Sequence, residues 1–150
     1  MVKRAYKKLW CLRRLGAEMD DLIDVFVKQI GCLLEFAVAV WQPNLTNEDR
    51  LKTERVQKSA LSIILGQDYK SYGSALKTLN LESLFSRRNR LCKKLARKSQ
   101  KHPKFTKWFK PNTKVTVTRS IPTKFCEVYC RTDRFKRSPI NYLIKTLNSQ

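Results

Sequence analysis

The run Ser83-Leu84-Phe85-Ser86-Arg87-Arg88-Asn89-Arg90-Leu91-Cys92-Lys93-Lys94-Leu95-Ala96-Arg97-Lys98-Ser99-Gln100-Lys101 decides how this chain is read. Leu84, Phe85, Arg88, Leu91, Cys92 and Leu95 share one side of a 3.6-residue repeat. Arg87, Arg90, Lys94, Arg97, Lys98 and Lys101 cover the other. The spacing predicts a long helix begun by Asn80 or Ser83, apolar on one face and basic on the opposite one, with Pro103 ending regular helix.

The basic run belongs to a wider imbalance. Residues 84 to 150 hold 19 Lys and Arg against only Glu127 and Asp133, whereas residues 1 to 83 hold 13 basic and 10 acidic side chains. Charges so crowded repel one another, and a polyanion relieves that repulsion while releasing its own counterions. A merely solvated helix face is the bland alternative. Two features favour binding: counter-charges are nearly absent, and the run continues through Lys104, Lys107, Lys110 and Lys114. Phe105, Trp108 and Phe109 stand between those lysines as candidates for stacking on bases, worth about 1–3 kcal/mol per base. Packing back onto the helical core is their equal alternative.

Upstream the pattern is helical throughout. Lys3 to Leu15 places Ala5, Leu9 and Leu12 on one face, with Tyr6 and Trp10 beside them, and Gly16 ends it. Asp20 or Asp21 opens a helix running to about Gln42, with Leu22, Phe26, Ile30, Leu33, Ala37 and Trp41 as its buried stripe. Both Trp10 and Trp41 are expected in the core. Thr46-Asn47-Glu48-Asp49 reads as an N-cap with Asp in place of the capping-box Glu, before a helix directing Leu51, Val56, Ala60, Ile63 and Ile64 inward. A short helix over Ser74 to Leu79 follows. Beyond Pro103 come β-prone Val115 to Thr118 and Phe125 to Tyr129, then an amphipathic turn or two over Ile140 to Leu147. The expected fold is all-α: a small bundle of four to five helices over 1–101, with a basic, irregular or weakly β extension over 102–150.

Composition excludes several classes. A single histidine, His102, cannot supply a two-His metal site, and no Gly-rich phosphate loop occurs among four glycines. No catalytic residue, metal ligand or cofactor is expected. Cys126 and Cys130 with Cys92 and His102 lack zinc-motif spacing, so the five cysteines are expected to be free thiols in a reducing, intracellular setting. Met19-Asp20-Asp21 superficially matches a polymerase metal motif, but Glu18 replaces the aromatic and a helical pattern follows, which suits helix initiation. The most apolar stretch, Ile30 to Trp41, spans about a dozen residues and contains Glu35, too short for a bilayer, so no membrane partner is expected.

Several stretches carry a family resemblance. These are Leu9-Trp10-Cys11-Leu12-Arg13-Arg14-Leu15, Leu34-Glu35-Phe36-Ala37, Val40-Trp41-Gln42-Pro43 with Leu45-Thr46, and Glu54 to Leu61 followed by Ile63-Ile64-Leu65-Gly66. In the rear, His102-Pro103-Lys104-Phe105, Arg131-Thr132, Arg134-Phe135, Ser138-Pro139-Ile140, Tyr142-Leu143 and Leu147-Asn148 join them. In order and spacing the set resembles the region after the catalytic core of non-LTR (LINE-type) retrotransposon reverse transcriptases. The resemblance implies the thumb and C-terminal extension of an RNA-directed DNA polymerase, without its palm and endonuclease. It also implies a fragment that grips RNA or DNA template–primer, with the catalytic part of the parent polymerase as a second partner. Arg87, Arg90, Lys94, Arg97, Lys98 and Lys101, continued by Lys104, Lys107, Lys110 and Lys114, are the expected phosphate contacts. The rival is a stand-alone helical protein-interaction module. The front helix pair is also similar to the N-terminal segment of an AlkB-like tRNA-modifying dioxygenase, as a non-catalytic appendage only.

Overall fold

The computed structural model describes residues 1–113 and 124–149. The described chain is mostly helical, as the periodicity predicts, and divides into two units. The first comprises Met1–Ala37 and Leu45–Arg88, the second Val38–Asn44 and Asn89–Gln150. The division falls at Arg88/Asn89, ahead of the expected 101/102 boundary, and the second unit takes in a piece of the front half.

In the first unit, α1 (Val2–Arg14) buries Ala5, Leu9 and Leu12, spaced as one helical stripe. It ends at Leu15, and Gly16 follows at φ +57°, a left-handed conformation that glycine adopts without a Cβ clash. Trp10 is not in the core: it is 57% exposed, with the Arg14 guanidinium 3.9 Å above its ring. One residue past Leu9, it sits about 100° off the buried stripe.

Helix α2 (Met19–Val25) starts with Asp20 and Asp21 exposed in its first turn, where carboxylates suit the macrodipole. It widens into a π-helical stretch, Phe26–Gly31, and continues as α3 (Cys32–Glu35). The buried apolar side chains are Leu22, Phe26, Ile30 and Leu34, each four apart. In a regular α-helix every step of four overshoots by about 40°, and the wider turn offsets that drift. Leu34 thus replaces Leu33, which is only half-buried. The single helix expected to Gln42 breaks at Ala37, whose φ is +51°.

Helix α5 (Asn47–Leu65) begins as its cap predicts, with Thr46 Oγ1 accepting from the Asp49 backbone N–H at 3.1 Å. Val56, Ala60, Leu61 and Ile64 enter the core, Ile63 is half-buried, and Leu51, expected inward, is exposed. The inward positions around Leu51 belong to Thr53 and Gln57. Helix α6 (Tyr72–Thr78) opens with a reciprocal Ser71–Ser74 capping box.

Polar side chains of α5 tie it to the start of α7 (Leu84–Lys101) and to α6. Gln57 Oε1 accepts from the Leu84 N–H at 2.8 Å, and Gln57 Nε2 donates to the Glu82 carbonyl at 2.9 Å. Ser83 Oγ accepts from the Ser86 N–H at 3.2 Å, so Ser83 rather than Asn80 caps the helix. Tyr72 donates its hydroxyl to Glu54 at 2.7 Å. Burial, the Glu54 hydrogen bond and the Glu54 charge together push that phenol well above its ordinary range.

In the second unit, α4 (Val38–Trp41) packs with α9 (Pro139–Asn148) and the rest of α7. The core joins Val38, Ala39, Cys92, Ala96, Phe109, Phe125, Leu143, Ile144 and Leu147, with Trp41 partly buried against it. Phe109, Phe125, Leu143, Ile144 and Leu147, all beyond residue 101, share this core with α4 and α7. The weak β character reduces, among the described residues, to one antiparallel bridge between Pro111 and Phe125. Asn148 clamps that bridge: its Oδ1 accepts from the Phe125 N–H at 2.9 Å and its Nδ2 donates to the Phe125 carbonyl at 3.1 Å. Helix α8 (Asp133–Lys136) is capped by Thr132. The β-prone run Val115 to Thr118 lies outside the described residues.

Candidate nucleic-acid interface

The basic side chains have backbones fixed by α7, and α7 has its register fixed by burial. Leu84, Arg88, Cys92, Ala96 and Ser99 are buried, advancing four, four, four and three residues. Phe85 and Leu95, expected on that face, are half-exposed. With the buried stripe set, Arg90, Lys94, Arg97, Lys98 and Lys101 project within an arc of about 100° on the far side, and all five are exposed. Lys93, not singled out from the sequence, is exposed on the flank of the same arc.

Arg87 departs from this set. Its Nε is ion-paired with the Glu35 carboxylate, whose side chain keeps only 10% exposure. Arg87 is thus engaged by a carboxylate, so the exposed basic run on α7 starts at Arg90. Neighbouring Arg88, as expected, faces inward: it is fully buried, donating from Nη1 to Thr53 Oγ1 at 2.6 Å and lying 3.5 Å from Glu54.

After α7 the chain turns through His102–Phe109 by short backbone bonds, including Phe105 N–H to the His102 carbonyl at 2.9 Å. Lys104, Lys107 and Lys110 are exposed along it, while Lys114 lies outside the described residues. The three aromatic candidates separate. Phe109 is buried edge-on against Phe125, ring centroids 6.0 Å apart, and cannot stack on a ligand. Phe105 and Trp108 are half-buried with centroids 4.8 Å apart, and His102 lies 5.0 Å beyond Phe105.

The second unit carries 17 Lys and Arg against two acids, and Asp133 is spent in the first turn of α8. Basic side chains thus outnumber carboxylate side chains in this unit's sequence 17 to two. Exposed Arg131, Arg134, Lys136 and Arg137 add a cluster that sequence reasoning passed over. Arg134 and Arg137 line a cleft of about 590 Å³ with Thr132 and Ser138. The signal was present as four basic residues within seven positions, but no periodicity set them apart from a loop.

A smaller cavity of about 330 Å³ lies beside Lys107 and Lys110, with Trp108, Val128, Phe135 and Ile140 among its walls. Cys126 borders it, its thiol 3.5 Å from the Pro111 carbonyl. Among the described residues no three His, Cys, Asp or Glu side chains gather as a metal-binding set, and no helix is long and apolar enough to cross a membrane. Compared with known proteins, the chain matches no family model, no curated protein and no solved structure.

Proposed function

We propose that this chain is a non-catalytic nucleic-acid-binding part of a retrotransposon RNA-directed DNA polymerase. In this role it holds the phosphates of a template–primer along Arg90, Lys94, Arg97, Lys98 and Lys101, and on through Lys104, Lys107 and Lys110. The observation that carries the binding is the single basic arc on α7, opposite a buried stripe, in a unit with 17 basic and two acidic residues. Lysines and arginines on one arc can follow a phosphate backbone whose charges recur regularly, and such contacts position without reading sequence. The assignment to a polymerase rests on the resemblance of the quoted stretches alone.

Titration against a labelled primer–template duplex at two salt concentrations tests the binding. Affinity is expected to fall steeply with salt, by about 0.9 log units per log unit of salt for each phosphate neutralised, with little dependence on base sequence. Binding indifferent to salt, or none, rejects it. The parentage has a separate test: genomic sequence upstream of Met1 is expected to encode an aromatic-x-Asp-Asp hairpin, in frame or frame-shifted. Its absence rejects the polymerase origin.

A further inference from the structure

We propose that the cavity beside Lys107 and Lys110 receives one unpaired nucleobase of a single-stranded nucleic acid, an inference that rests on the nucleic-acid reading above. Its volume, about 330 Å³, is at the small end of ligand sites, which span roughly 300–1,000 Å³. Trp108 offers an indole held in place by Phe105, whose ring centroid lies 4.8 Å away, so a base meets a platform already oriented. Val128, Phe135 and Ile140 supply further apolar wall.

Charge decides what kind of group enters. Lys107 and Lys110 both line the cavity and are exposed, so the phosphates flanking an inserted base meet cations there. Glu127 also lines it, one of only two acids in this unit. A carboxylate there repels a phosphate but accepts a hydrogen bond from the exocyclic amine of a base such as cytosine. The pocket therefore suits a base inside with its backbone outside. A base stacked in a duplex cannot enter without unpairing, which costs free energy, so the site favours single strands, frayed ends and overhangs.

Fluorescence anisotropy with the full chain compares oligo-dC with an abasic oligomer of equal length, which keeps the phosphates and lacks the bases, at low and high salt. Oligo-dC is expected to bind about tenfold more tightly, as one stacked base warrants, with parallel salt slopes. Equal, salt-dependent affinities overturn the pocket and leave the phosphate track standing. Failure of both oligomers to bind overturns the pocket together with the function it rests on. Two variants localise the preference. Trp108→Ala is expected to bring oligo-dC down to the abasic level without altering abasic affinity. Val128→Met, which fills the cavity from a half-exposed position without changing charge, is expected to do the same. A Val128→Met variant that keeps the full preference overturns the assignment, and the wild-type comparison stands whether or not Trp108→Ala folds.

Discussion

Arg88 Nη1 donates to Thr53 Oγ1 at 2.6 Å, and Thr53 Oγ1 in turn donates to the Arg50 carbonyl at 2.7 Å, so a fully buried guanidinium is tied through α5. Glu54, 3.5 Å away, supplies the opposite charge. Truncating one partner of such a group strands the other. Arg88→Ala is expected to lower stability by about 3 kcal/mol, within the range for breaking buried pairs. Urea unfolding measures it, and a loss under about 1 kcal/mol would place the pair among ordinary surface bridges.

Tyr72 gives a pH-dependent counterpart. Its phenol titrates well above the ordinary value near 10 because burial and Glu54 favour the neutral form. The folded state therefore holds this proton more tightly than the unfolded chain. Its contribution is fully present below about pH 10 and declines as pH rises further. Tyr72→Phe is expected to cost about 1–2 kcal/mol at neutral pH and to flatten the alkaline fall in stability. An unchanged alkaline slope in thermal unfolding from pH 9 to 11 would count against it.

The α7 arc makes a graded prediction. Replacing Lys94, Lys98 and Lys101 together by Gln is expected to weaken duplex binding uniformly across sequences. The salt slope should fall by about 0.9 for each lysine that meets a phosphate. Arg87→Gln, at the residue held by Glu35, is expected to leave that slope unchanged while reducing stability. The reverse pattern would move the interface off the arc.

Asn148 makes a local prediction. Its amide satisfies both the N–H and the carbonyl of Phe125, a buried residue that pairs with Pro111 in an isolated bridge. Asn148→Ala is expected to cost about 1–3 kcal/mol, since both backbone groups lose their partners. Amide exchange at Phe125 should accelerate correspondingly, while amides of α1 and α5 keep their protection.

The sequence disclosed helices wherever an element carries its own signal. Thr46 with Asp49 capped α5, Ala5, Leu9 and Leu12 marked the buried face of α1, and Arg88 was placed inward on α7. It was less informative wherever a distant partner decides. Nothing local to Arg87 says that Glu35, about fifty positions earlier, will claim it. Phe109 alternates with lysines like its neighbours, yet Phe125 draws it inward. The second unit was the least legible. Its core unites Val38 and Ala39 with Leu143 and Ile144, about a hundred positions later, and periodicity carries no information about such pairings.

That interleaving has a practical consequence. Because α4 belongs with residues beyond 88 while Leu45–Arg88 returns to the first unit, the backbone passes between units at three places. A scission anywhere from 45 to 88 leaves Val38, Ala39 and Trp41 on one fragment and the helices they support on the other. Neither unit is one uninterrupted stretch of chain, so a nick in α5 is expected to loosen the second unit's core without touching a single residue of it.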